Sequence, residues 1–414
     1  MTRVHNFLLE SGVLAALFLG PLAFGSVYSW GSYGLSTIIF ILLFISPHSF
    51  ESCATLPFLL RLLMSVVVLW VMVQSFFLSA SPSQSVSRLV FWLAMVSLFA
   101  LSQQLSRASI LRIFWVFAFL GCLQTGYGFF EVWSGHEKVL WHAKLTHVGF
   151  VTGTYINRNN FAGFMELVLG IQLGLFLRSF TKQRRLAVLA LAACLVVSMF
   201  GLVRSGSRMG LAAIMISVLF HSFFLKKKSL KAGVGFAVFF FLLLGGAVWL
   251  GRDLLESRMA SLGESFNTLD GRLIAWPAVI QMIRESFWTG VGLGNFQWVF
   301  PLFQPAKLIY GWDHAHNDYL EMAAELGIPA ASLLILFFAG LWIHVLQQAD
   351  RKDFSSFVLI LGGLTGMGAL VLHGFTDFNF SIPANQMCFV LIAGLVTRLL
   401  QFERHKIMVK KNYE

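Results

Sequence analysis

The strongest constraint in this sequence is a succession of apolar runs long enough to cross a bilayer. A spanning helix needs about 20 mainly apolar residues. About twelve such runs follow one another, over 8–27, 32–47, 57–79, 87–103, 110–133, 160–179, 186–204, 209–225, 232–250, 328–346, 355–375 and 382–402. Composition agrees: 57% of the residues are hydrophobic and 12% are charged, where a soluble domain carries roughly 25% charge. The fold class is therefore all-α and polytopic. The first run continues through "VLAALFLGPLAFG" without a small-residue cleavage site and reads as a retained span. No internal repeat is visible. The four cysteines have no paired or metal-ligand spacing.

Lys and Arg orient the chain. With the N-terminus inside, the segments after spans 4, 6, 8, 10 and 12 are "SRASILR", "RSFTKQRR", "KKKSLK", "ADRKD" and the tail "RHKIMVKK". All are basic, as cytoplasmic loops are. The net charge of +11 thus belongs to topology and carries no nucleic-acid signal. Five zones follow: spans 1–133, an outer loop 134–159, spans 160–250, a large outer loop 251–327, and spans with a basic tail over 328–414. The large loop is expected to carry amphipathic helices, one with Leu273, Trp276, Ile280 and Ile283 at helical spacing. The two long loops then lie on the extracytoplasmic side.

Four outer segments concentrate polar chemistry. "GTYINRNNFAGFMEL" sets Asn157, Asn159 and Asn160 before a span, more Asn than one helix cap needs. "RSGSRMG" places Arg204, Ser207 and Arg208 in a tight turn suited to an anion, since arginine forks onto phosphate oxygens. "DGRLIAW" adds Arg272, and the later "GVGLGNF" fails the dinucleotide pattern. "GWDHAHNDYLEMAAELG" gathers His314, His316, Asp318, Glu321 and Glu325 where a span begins. A helix starting near Asn317 would put the three carboxylates on one face. H-x-H-x-D also occurs in dinuclear metal sites. The remaining candidates His136, His142 and His147 fit no standard spacing, so no metal is expected.

These segments, in this order over about 150–330, resemble the O-antigen ligase family of bacterial inner-membrane glycosyltransferases, which includes many polysaccharide polymerases. The shared pattern is carried by "GTYINRNNFAG", "SRMG", "GRLIAW", "GVGLGNF" and "HNDYLEMAAELG". The resemblance implies a glycan donor on undecaprenyl diphosphate, with no metal or nucleotide cofactor. It implies Arg208 and Arg272, with Arg204 nearby, as diphosphate-binding residues and His316 as the catalytic histidine. The Asn cluster, Ser207, His314, Asp318, Glu321 and Glu325 are then candidates to bind or orient donor and acceptor. Partners are the lipid-linked donor, a lipid A-core or glycan acceptor, and membrane lipids. Trp276, Trp298, Tyr310, Trp312 and Tyr319 suit either sugars or a membrane-interface belt.

Two families of function remain in view. A ligase would transfer glycan to lipid A-core, and a polymerase would join lipid-linked repeats. The outer cations Lys138, Lys144, Arg158, Arg258, Arg284 and Lys307 favour an anionic acceptor and so a ligase. A polysaccharide or lipid transporter also fits twelve spans, but such folds usually show repeated halves and a midplane site.

Overall fold

The computed structural model describes residues 3–135, 138–228, 230–250, 262–308, 311–349 and 353–411. Arg258, His136 and Tyr310 lie outside the described residues. The chain is 80% helical, and its one sheet among the described residues is the two-residue pairing of Lys138–Val139 with His142–Ala143. Ten described helices are long and apolar enough to span a membrane, or eleven if one bent pair is a single span. That pair is the expected second span. Ser29–Ile45 and Pro47–Thr55 meet at 84°. Pro47 supplies no N–H and disfavours a helical residue before it, and Ser46 has left the helix at φ −126° and ψ 60°. The expected ninth span is the helix Leu230–Leu250, of which only Phe240–Trp249 registers as a shorter apolar segment.

Numbered in chain order, the helices are α1 Arg3–Leu22, α2 Ser29–Ile45, α3 Phe58–Val73, α4 Pro82–Ser102, α5 Arg107–Trp133, α6 Arg158–Thr181, α7 Arg185–Arg204, α8 Arg208–Lys228, α9 Leu230–Leu250, α10 Leu262–Glu285, α11 Phe296–Val299, α12 Asp318–Leu326, α13 Ile328–Ala349, α14 Phe354–His373 and α15 Pro383–Lys411. Helix α6 is buried along most of its length against α14. Glycines set that contact. A Cβ on Gly170 would lie 2.6 Å from the Gly362 carbonyl oxygen, and one on Gly174 would lie 3.0 Å from that of Val358. Gly170 and Gly174 face Gly362 and Gly366, each pair four residues apart. Small-xxx-small spacing lets backbones approach where no hydrophobic force separates helix from lipid. This contact fixes the polar ends of both helices relative to each other.

The segment 311–327 is clasped from two directions. The indole of Trp276, on α10, donates to the Ala315 carbonyl at 3.0 Å. From the turn between α14 and α15, Phe380 N–H donates to Asp318 at 3.0 Å and the Ser381 hydroxyl to Glu321 at 2.8 Å. The "GVGLGNF" bend turns through three glycines at positive φ. Its Val291 and Gly292 N–H groups donate to the Ala324 and Glu325 carbonyls, closing the end of α12. Helix α10 differs from its expected face. Ala275, Val279, Met282 and Ile283 are buried, whereas Leu273 and Ile280 are exposed. The helix is apolar on two sides, so residue spacing alone does not select the packed one.

Gly170→Val is expected to drive side-chain atoms into the α14 backbone and cost about 3 kcal/mol or more. Thermal unfolding in detergent should show a large loss. Gly126→Ala is the control, because nothing lies within 4 Å of a Cβ there; a similar loss in both variants would refute the contact.

Candidate functional site

The site is assembled from α12 and the neighbouring ends of α6, α8, α10 and α14. Asp377, in the turn after α14, lies at its centre and is almost fully buried. Its Oδ2 accepts from the Asn159 amide at 2.5 Å and lies 3.9 Å from an Arg272 guanidinium nitrogen. Its Oδ1 lies 3.7 Å from Nδ1 of His316, a charge-pairing distance beyond a hydrogen bond. Burial alone would raise the Asp377 pKa; the nearby His316, His373 and Arg272 outweigh it and hold the carboxyl at about 2. This acid stays charged at neutral pH.

His316 is half-buried and held at φ +48°, an uncommon backbone state for a non-glycine residue. Its ring meets Trp312 and Phe378 edge-on, with centroids 5.1 and 4.9 Å away. On another side of Phe378, His314 stacks flat at 4.2 Å. His314 Nδ1 lies 2.8 Å from Glu321 Oε1. Burial opposes charge on both members, but each holds the other charged: His314 is raised and Glu321 is lowered, helped by the Ser381 and Ala315 hydrogen bonds.

The three carboxylates of α12 share one region and divide its charge unequally. Glu321 takes it. Burial, reinforced by the Glu321 charge, pushes Asp318 well above the carboxylate range and Glu325 up to about 7. Asp318 also caps inward, its N–H donating to the Gly374 carbonyl at 2.8 Å.

The sequence-derived candidates therefore separate. Asn159, Arg272, His316 and, through shared packing, His314 and Glu321 surround the Asp377 turn. Asn157 is the cap of α6, accepting from Asn159 N–H at 2.8 Å. Asn160 is buried, with its carbonyl accepting from Asn385. Ser207 caps α8 through Gly210 N–H at 3.3 Å. Arg208 is exposed at the first position of α8. Two residues further along α8, a Cβ on Gly210 would lie 3.0 Å from Glu166 Oε1, and Glu166 lies 2.7 Å from His373 Nδ1. Arg204 is half-buried, and its Nε has no hydrogen-bond partner among the described residues. Lys144 leaves the outer cationic surplus, because it is buried in an ion pair with Glu131 at 2.7 Å. No cluster of three or more His, Cys, Asp or Glu among the described residues is arranged to hold a metal.

Sequence reading missed Asp377, Glu166 and His373. Each carried a signal. Glu166 and His373 are titratable residues inside spans, which are expensive there and so mark function or pairing. Asp377 is an acid in the tight turn between two spans.

Fold and site together define a helical membrane protein with a cation-, histidine- and carboxylate-lined site at one end of its bundle. Residues 193–335 match the family model described as O-antigen ligase, about a third of the chain. The match covers Arg204, Arg208, Arg272 and His314 through Glu325, while Asn159 and Asp377 fall outside it. No curated protein matches the chain. Members of this family are ligase- or polymerase-type enzymes of glycan transfer, working on lipid-linked glycans and their acceptors.

Glu325 gives a pH test. Its folded pKa of about 7 exceeds the ordinary 4.5. Between those values the folded protein holds a proton that the unfolded chain has released, so stability falls as pH rises across this window. Glu325→Gln should flatten that slope in melting temperature between pH 4.5 and 7; parallel slopes in the two proteins would contradict the assignment.

Proposed function

We propose that the protein transfers a glycan from undecaprenyl diphosphate to a sugar hydroxyl of lipid A-core at the periplasmic face of the inner membrane, without a metal. The observation that carries this reading is the convergence of Arg272 and His316 on Asp377 from separate segments. A cation and a base thereby share one charged carboxylate.

The chemistry divides between two groups. As the anomeric carbon leaves its diphosphate, negative charge grows on the phosphate oxygens. Arg272 and Arg208 neutralise it, each preorganised cation being worth about 3 kcal/mol of barrier. His316 removes the acceptor hydroxyl proton as that oxygen attacks, a contribution of roughly 100–10,000-fold. Asp377 stabilises the resulting imidazolium and fixes the ring. Asn159 holds Asp377 in turn. The exposed cations Lys138, Arg284 and Lys307 support an anionic acceptor, and hence a ligase over a polymerase, on a narrower base now that Lys144 is neutralised.

Gene deletion should leave full-length polymer on its lipid carrier and lipid A-core without polymer. Strains carrying Arg208→Ala, Arg272→Ala or His316→Ala should reproduce that state with normal protein levels, and Asp377→Asn should lower transfer at least 100-fold. Core bearing a single repeat unit in the deletion strain would identify a polymerase instead. Sidedness is checked separately. In a background free of native cysteines, Leu302→Cys should react with an impermeant reagent in spheroplasts and Lys182→Cys should not; the reverse pattern overturns the orientation.

A further inference from the structure

A cavity of about 650 Å³ lies beside the site described above. Its walls are apolar side chains of α4, α8, α13 and α15, and its outer mouth is polar, with Arg88, Asp313, His314, Glu321 and Glu325. Arg272, His316 and Asp377 do not line it. His314 and His316 both pack against Phe378, so this ring lies between the cavity and the Asp377 cluster. Ile216 and Phe220 of α8 and Ile335 of α13 line the cavity and are themselves exposed, which opens it at the flank of the bundle.

Arg88 is the unexplained residue. It is half-buried on α4, and its stem packs over Gly294: a Cβ there would meet its Cγ and lie 3.4 Å from its Nε. Its guanidinium forms no hydrogen bond or ion pair with another described residue, although it lies close enough to influence His314 and Glu325. An arginine on a spanning helix, at the mouth of an apolar cavity, is costly unless an anion meets it. The cavity depth narrows the choice of ligand. Along α4, lining residues run from Arg88 to Phe99, roughly 16 Å at 1.5 Å per residue. That is about half the hydrocarbon core of a bilayer, or one leaflet. Acyl chains of one leaflet fit this depth. A long polyisoprenyl chain exceeds it.

We infer that the cavity seats acyl chains of the acceptor glycolipid, with Arg88 pairing a phosphate on its head group. The inference rests on the transfer reaction proposed above and adds where the acceptor binds. Two amphiphiles then approach on different sides of Phe378, the donor diphosphate at Arg208 and Arg272 and the acceptor at Arg88. The acceptor sugar would meet the polar mouth formed by His314, Glu321 and Glu325, next to His316.

The test is equilibrium binding of radiolabelled diphosphoryl lipid A to the purified full-length protein in maltoside micelles, which contain no phosphate. Arg88→Met keeps the stem over Gly294 and removes the charge; it should weaken binding about tenfold. Val96→Trp, which fills the cavity wall, should weaken it as well. Arg208→Ala and Arg272→Ala should bind like wild type, and an equal concentration of undecaprenyl phosphate should not displace the probe. Unchanged binding in both Arg88→Met and Val96→Trp overturns the site. An equal loss in Arg272→Ala merges it with the donor site, and displacement by undecaprenyl phosphate assigns the cavity to a polyisoprenyl chain; either result overturns the inference. Binding is read without turnover, so failure here is distinct from failure of the transfer reaction.

Discussion

The close approach of α6 and α14 is the constraint on which the polar site depends. Helix α6 carries Asn159 and Glu166, and α14 carries His373 and leads into Asp377. These residues meet because Gly170 and Gly174 lie against Gly362 and Gly366 with no side chains between the backbones. Lipid is as apolar as leucine, so hydrophobic burial does not drive these helices together. Packing and buried polar pairs hold them instead. The buried Glu166–His373 pair adds a contact that neither helix could leave unpaired in hydrocarbon.

Above that crossing, the site shows how acids are kept close without mutual ionisation. Glu321 is charged because His314, Ser381 and a backbone N–H meet it. Its charge then pushes protons onto Asp318 and Glu325, which lie on the same short helix. Asp377 escapes this because two histidines and Arg272 surround it. Unequal protonation within a small volume gives the site a mixed charge pattern at neutral pH, with Glu325 near its titration midpoint.

Much of the architecture was readable in advance. Apolar run length gave the helices, because it follows from the cost of placing polar groups in lipid. The cap at Asn317 and the shared face of Asp318, Glu321 and Glu325 followed from local helix geometry, and both appear in the structure. The break at Pro47 and the packed face of α10 were not readable. The first depends on how one proline is accommodated, and the second on which of two apolar faces finds a partner.

Sequence alone therefore determined that this chain carries many membrane-spanning helices and gathers arginines, asparagines and histidines in the segments between them. Those properties are local, set by run length, charge and short spacings. Tertiary structure decided which of these residues meet. Asp377 lies 61 positions after His316 and 105 after Arg272 in the chain, yet lies within 4 Å of both. It also decided that Lys144 is spent on Glu131 while Arg88 stands at the mouth of a cavity. Such pairings arise from helix packing across long separations, and no local pattern encodes them.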